Sequence, residues 1–201
     1  MAISRFSTST LKQGLPKYTE AWDGTSVIVL GKFESIATAT GTGSSGTITF
    51  SSIPATYQHL QIRAIMRNTL SASDASFGQM RVNGDTTTSN YAWHELYGNG
   101  TSVSASGADS GLPYYGTVVR NTATSGIIGM TVIDIYDYAS TSKYKTIRVF
   151  SGNDRNGSGD IVLWSGLWEN TNAITQLEFL AGGTSSFTTA TKFALYGIKG
   201  A

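Results

Sequence analysis

The stretch "FSGNDRNGSGDIVLW", from Phe150 to Trp164, sets Asp154, Asn156, Ser158 and Asp160 at alternate positions. Gly159 and Ile161 follow as they would in a calcium-binding loop. Oxygen side chains at this spacing can converge on a hard cation, and a glycine permits the tight bend such a loop needs. The flanks argue otherwise. "TIRVFSG" precedes the stretch and "DIVLWSGLW" follows it, both strand-like, whereas a helix-loop-helix calcium site needs helices and a bidentate Glu at its twelfth position, here Ser165. Asn156-Gly157 is the dipeptide a type I′ turn prefers, because both of its central residues take positive φ. The expectation is a hairpin tip with no metal.

Other chemistry is thin. The two histidines are His59 and His94, and no GxSxG elbow stands near either. His94 and Glu95 are strand neighbours, so they point to opposite faces, and structural polar roles are expected for both histidines. "GTGSSG" lacks the Lys and the following helix of a phosphate loop. Paired carboxylates for glycoside hydrolysis would have to assemble from distant strands, and nothing in the chain nominates a pair. No catalytic residue, cofactor or enzyme activity is expected.

Aromatic residues carry more weight. Trp93, Trp164, Trp168 and Tyr136 could stack on sugar rings or build a protein interface, since aromatic faces join large apolar area to a polar edge. Trp164 and Trp168 share strand parity, with Gly166 between them leaving room for a neighbour. Ile161, Leu163 and Leu167 hold the other parity. The expectation is that this aliphatic set faces the interior. The two indoles would then point the other way, covered by a loop of the same chain or by a neighbouring subunit, because exposed indoles on a strand invite aggregation.

These residues must be positioned by strands. "HLQIRAIMR" alternates Leu60, Ile62, Ala64 and Met66 against Gln61, Arg63 and Arg67, the period-2 signature of a half-buried strand. "GMTVIDIYDY", "KTIRVF", "ITQLEFL" and "KFALYGIK" repeat it, with Ile133 and Ile135, Ile147 and Val149, Leu177 and Phe179, and Phe193 and Leu195 on the inward side. "ESIATA", "GTITFS", "GQMRVNG", "YAWHELYG" and "PYYGTVV" are further strands. "GTGSSG", "VNGD", "YGNG", "NGSG" and "AGGTSS" supply turns. Helical periodicity is lacking, although "PATYQH" has room for one helical turn. About ten strands with hairpin-like links predict an all-β, antiparallel β-sandwich of jelly-roll type over 26–201.

Residues 1–25 differ: they are polar and rich in Ser and Thr, with Gly14 and Pro16 breaking any helix. They read as an extended N-terminal arm whose anchors are Arg5, Phe6, Leu11, Leu15, Pro16, Tyr18 and Trp22.

The bulk composition excludes several classes. The formal net charge is +1 and charged residues are only 13% of the 201, which gives no basic face for nucleic acid. Cys is absent, removing disulfides and thiolate metal sites. No apolar run reaches the roughly 20 residues of a membrane-spanning helix, and the N-terminus lacks the apolar segment of a secretory signal, so neither membrane insertion nor Sec export is expected. Gly is 23, Pro only 3, and Ser with Thr about a quarter of the chain, as in turn-rich all-β proteins.

Several runs taken together, "FSSIPATYQHLQIRAIMR", "VNGD", "NYAWHELYGNG", "VIDIYDYASTSKYKTIRVFSG", "NGSGDIVLWSGLWENTNAITQLEF" and "FALYGIKG", resemble uncharacterised virion-associated structural proteins of tailed bacteriophages, especially aquatic ones. The resemblance spans about Phe33 to Gly200, and "SRFSTSTLKQGLPK" is similar to leaders of some of those proteins. It implies a virion appendage assembled in the host cytoplasm. The expected function is a capsid decoration or cement protein that anchors by its arm and displays the sandwich. Its expected partners are other copies of itself, with a trimer favoured, and the major capsid or tail proteins. The alternative is a tail fibre or tail-tip domain that binds a host-surface glycan.

Overall fold

In a computed structural model of the chain, residues 33–71 and 75–199 are described in full, and residues 20–22 and 27–29 as strand backbone. The arm residues Arg5, Phe6, Leu11, Leu15, Pro16 and Tyr18 lie outside the described residues. Trp22 enters only as the last residue of β1 (Glu20–Trp22), which pairs with β2 (Val27–Val29).

Alternating burial builds the remaining strands. They are β3 (Phe33–Thr40), β4 (Thr47–Phe50), β5 (His59–Met66), β6 (Ala75–Val82), β7 (Tyr91–Gly98), β8 (Val103–Ala108), β9 (Tyr114–Val119), β10 (Gly129–Ile135), β11 (Lys145–Asp154), β12 (Gly159–Trp168), β13 (Leu177–Leu180) and β14 (Lys192–Ile198). Among the described residues the one helical element is a 3-10 turn at Thr88–Asn90, and "PATYQH" forms turns instead of helix.

Among the described residues every pairing between named strands is antiparallel, with one isolated parallel bridge between Arg67 and Val119. One sheet has eight strands in the order β3-β14-β5-β10-β11-β12-β7-β8, and the other has four in the order β4-β13-β6-β9. Their inner faces enclose one core. Leu60, Ile62, Ala64 and Met66, then Ile133 and Ile135, Ile147 and Val149, and Phe193 and Leu195 bury from the large sheet as their alternation predicts. Ile48, Phe50, Met80, Val82, Leu177 and Phe179 meet them from the small sheet. Tyr115, Phe179 and Phe193 pack as a ring trio with centroids 4.8 to 5.9 Å apart, edge-on and tilted geometries that favour aromatic pairs over face-to-face stacking.

Close approach of backbone joins the sheets on one side. Gly116 lies against Thr131 and Ser151, and these hydroxyls are spent on the backbone: Thr131 Oγ1 donates to the Tyr115 carbonyl (2.7 Å), and Ser151 Oγ accepts from Thr117 N (2.8 Å) while donating to the Met130 carbonyl (2.7 Å). A buried hydroxyl is tolerated when its bonds are made, and here they hold β9 beneath β10 and β11. Arg67 does similar service at one end, where its guanidinium donates to the carbonyls of Asn121, Ala123, Thr124 and Ile127 and fixes the turn that leads into β10.

Two features depart from the sequence reading. The Ser/Gly-rich "VSASGA" forms β8, a strand that no alternation announced, with both faces open to water except at Ala108. In β12 the parity is reversed. Val162, Trp164 and Trp168 are buried, whereas Ile161 and Leu163 are exposed and Leu167 is half-buried. The interior opposite β12 holds Phe77 and Tyr114, whose rings need aromatic partners, so the bulky indoles fill that space in place of the aliphatic set.

Candidate functional site

The outer face of the eight-stranded sheet carries the most unusual surface. Cross-strand register aligns two adjacent rows of side chains across it. One row runs Ile65, Met130, Gly152, Ile161, Gly98 and Val103; the next runs Arg63, Val132, Phe150, Leu163, Leu96 and Ala105. Met130 is 61% exposed, Ile161 56%, Phe150 51%, Leu96 49%, Leu163 46% and Val103 76%. Single exposed apolar residues are ordinary, but here six large ones stand together over five strands as one exposed apolar patch.

A groove of about 800 Å³ opens on this face. Ile65, Met130, Val132, Phe150 and Ile161 form its apolar part, and Arg63 and Lys192 stand on its β14–β5 side. Arg63 lies over the rings of Phe33 (5.5 Å) and Tyr196 (5.9 Å), and its Nε donates to Gln61. The guanidinium is thereby steered along the sheet surface, away from the apolar rows.

The sequence-nominated aromatics divide. Trp93 and Trp164 come together through Tyr114, with centroid distances of 5.2 and 5.8 Å, and Phe77 sits edge-on to Trp164 at 5.0 Å. Trp164 and Trp168 are each only 1% exposed, so neither offers a ring face to a ligand. Their polar tips are satisfied inside: Trp164 Nε1 donates to Glu95 Oε2 and Trp168 Nε1 to Asp85 Oδ2, both at 2.9 Å. Tyr136 is exposed and lies elsewhere, edge-on to His59 at 5.0 Å. Of the four, Trp93 remains half-buried on the inner face of β7, beside Tyr97 and close to the open strand β8.

In the hairpin between β11 and β12 both aspartates are engaged by hydrogen bonds. Asn156 and Gly157 both take positive φ (60° and 105°), and Arg155 N donates to the Ser158 carbonyl across a two-residue loop. Asp154 Oδ1 accepts from Asn156 N at 2.8 Å. Asp160 accepts from Tyr97 Oη at 2.6 Å, from Arg155 Nη1 at 2.9 Å and from Asn153 Nδ2 at 3.1 Å. Burial by itself would raise the Asp160 carboxyl, but these donors outweigh it and hold it below the usual carboxylate range. The same bond makes Tyr97 harder to ionise, pushing its phenol up to about 12. Among the described residues no three His, Asp or Glu side chains converge to hold a metal ion.

Asp85 is a second hub that sequence reasoning missed. It accepts from Thr87 N, Asn90 Nδ2 and Trp168 Nε1, all at 2.9 Å, and these bonds outweigh the raising effect of burial to keep it ionised. Its only sequence signal was the "NGD" turn. His59 is a structural acceptor, taking a hydrogen bond from Asp137 N at 3.0 Å through Nδ1. Lys145 is buried with Nζ donating to the carbonyls of Lys143 (2.6 Å) and Thr171 (3.1 Å), and burial lowers its ammonium pKa.

Compared with protein-family models, with curated proteins and with solved structures, the chain matches none.

Proposed function

We propose that this chain is a structural protein of a tailed-bacteriophage virion, a capsid decoration or cement protein that anchors by its N-terminal arm and displays the sandwich outward. The observation that carries the reading is the strand order. Leaving out β7–β8 and β11–β12, the sheets reduce to β3-β14-β5-β10 over β4-β13-β6-β9. With those eight strands lettered B to I along the chain, the orders become B-I-D-G and C-H-E-F, the interleaving of two Greek keys in a jelly roll, an architecture used by viral capsid proteins. The two remaining hairpins widen one sheet and supply five of the six large exposed apolar side chains in the two rows, Phe150, Ile161, Leu163, Leu96 and Val103, with Met130 of β10 as the sixth. Low charge, abundant hydroxyl side chains and the resemblance of the chain from Phe33 to Gly200 to virion-associated proteins support the same reading, in which copies associate as a trimer on the capsid.

The function is non-catalytic. The alternative, a tail-tip domain that binds host glycan, draws on one observation: Trp93, Tyr97 and Tyr114 remain half-buried beside the open inner face of β7–β8. Purified particles decide between them. A stained gel should show the chain at hundreds of copies per particle for a decoration protein, against a few to tens for a tail part. Absence of the chain from purified particles overturns both. Deleting residues 2–23 should leave a folded sandwich that no longer enters particles, and normal incorporation of that truncated chain overturns the anchoring role.

A further inference from the structure

We propose that the outer face of the eight-stranded sheet is the contact between copies of this chain, with the apolar end at β12–β7–β8 of one copy laid over the groove at β14–β5–β10–β11 of the next. The inference deepens the assembly reading by naming the surface and its occupant.

Three observations select a second copy. The first is chemical match. Leu163, Leu96 and Val103 on one half of the face are aliphatic, and the groove on the other half is formed by Ile65, Met130, Val132 and Phe150. Each half offers what the other covers, and both lie on the same sheet in register.

The second is area. Six large apolar side chains about half exposed amount to several hundred Å² per copy, the order of the ~800 Å² each partner gives to a standard interface. Face-to-face packing of two sheets at about 10 Å would bury both rows at once.

The third is charge. Of the charged residues that line the groove, the cations Arg63 and Lys192 lie together on its β14–β5 side, and Asp160 on β12 is already engaged by Arg155, Tyr97 and Asn153. At the other end, the outward residues of β8 are Val103, Ala105 and Gly107, with no charge. An offset contact therefore sets Arg63 and Lys192 of one copy over uncharged strand and not over one another, Arg148 on the central strand β11 stands directly across from Asp134 on β10, and the net charge of +1 adds little repulsion. The offset satisfies a reciprocal pair, and equally a closed ring in which each copy gives one half and receives the other.

The test is sedimentation of the full-length chain purified away from particles. The wild type should run at two or three chain masses. Phe150→Asp with Leu163→Asp, which places two carboxylates at directly opposed positions on β11 and β12, should run as a monomer with a circular dichroism spectrum and cooperative melt like the wild type. Tyr144→Asp, on an exposed loop position off the two rows, should keep the wild-type mass. If the double variant does not fold, the single Leu96→Asp substitution replaces it. A monomeric wild type at its highest soluble concentration, or a folded face variant that keeps the wild-type mass, overturns the proposal. Wild-type mass combined with loss from particles would show that another virion protein covers this face, and also overturns it. Absence of the chain from virions, by contrast, sinks the virion reading and leaves the self-contact standing.

Discussion

Trp164 and Glu95 stand directly opposite one another on β12 and β7, and the indole nitrogen donates to the carboxylate at 2.9 Å. The pair explains how an indole can be interior here. Its ring packs on Phe77 and Tyr114 while its single donor finds a half-buried acceptor on the neighbouring strand, so burial leaves no polar atom without a partner.

Removing either end of this pair should cost stability by about 1–3 kcal/mol, because the remaining group stays buried without its partner. Trp164→Phe and Glu95→Ala are each expected to lower the urea midpoint, and the double variant should lose less than the sum of the two. Additive losses would mean that the bond contributes nothing beyond packing.

Trp168→Ala empties a site that is 1% exposed and frees Asp85 from one of its three donors. A loss of roughly 3–5 kcal/mol is expected, the range for large aromatic truncations in cores. Chemical denaturation measures it, and a loss below about 1 kcal/mol would contradict the burial.

The hairpin at Asn156-Gly157 should respond to backbone chemistry and not to metal. Gly157 sits at φ 105°, so Gly157→Ala is expected to destabilise by about 1 kcal/mol. Chelator should leave the melting temperature unchanged, since the Asp160 oxygens are engaged by Tyr97, Asn153 and Arg155. A drop that calcium restores would identify a cation site at the loop.

Acid should weaken the fold through Asp160 and Asp85. Both carboxyls titrate lower in the folded state than the ordinary 3.8, so their contribution is present in full above that value and is lost as pH falls through the folded values. Melting temperature should fall below about pH 4, and Asp160→Asn should flatten that dependence while lowering stability at neutral pH. At the other extreme, Tyr97 should ionise near 12 instead of 10, visible as a missing component in an ultraviolet titration of Tyr97→Phe. Because its folded pKa is raised, its contribution to stability is present in full below pH 10 and is lost progressively as pH rises from about 10 through about 12.

Gly78→Ala tests how closely the small sheet is packed. A Cβ there would collide with the ring of Tyr115, which is fully buried and donates its hydroxyl to the Leu180 carbonyl at 3.0 Å. The ring has nowhere to move without breaking that bond, so loss of several kcal/mol or failure to fold is expected. A wild-type melting temperature would show that β6 and β9 are looser than described.

Alternation in the sequence was sufficient for the all-β class and for the inward sides of β5, β10, β11, β13 and β14, because in each of those strands the other parity carries a charged side chain (Arg63, Asp134, Arg148, Glu178 and Lys192), even where it also holds apolar residues such as Met130 and Phe150. It was also sufficient for the 156–157 hairpin, where local backbone chemistry alone selects the turn. In β12 both parities are apolar, Ile161 and Leu163 against Val162, Trp164 and Trp168, and a period of two cannot say which set faces in. Phe77 on β6 and Tyr114 on β9 decided it, far away in the chain, by presenting a space that indoles fill. The Ser/Gly-rich β8 had no pattern to read, since an edge strand exposed on both faces has no inward side to select for. The groove and the two apolar rows belong to tertiary structure alone: they exist only because register sets Met130, Phe150, Leu163 and Leu96 side by side from four strands that each look ordinary in isolation.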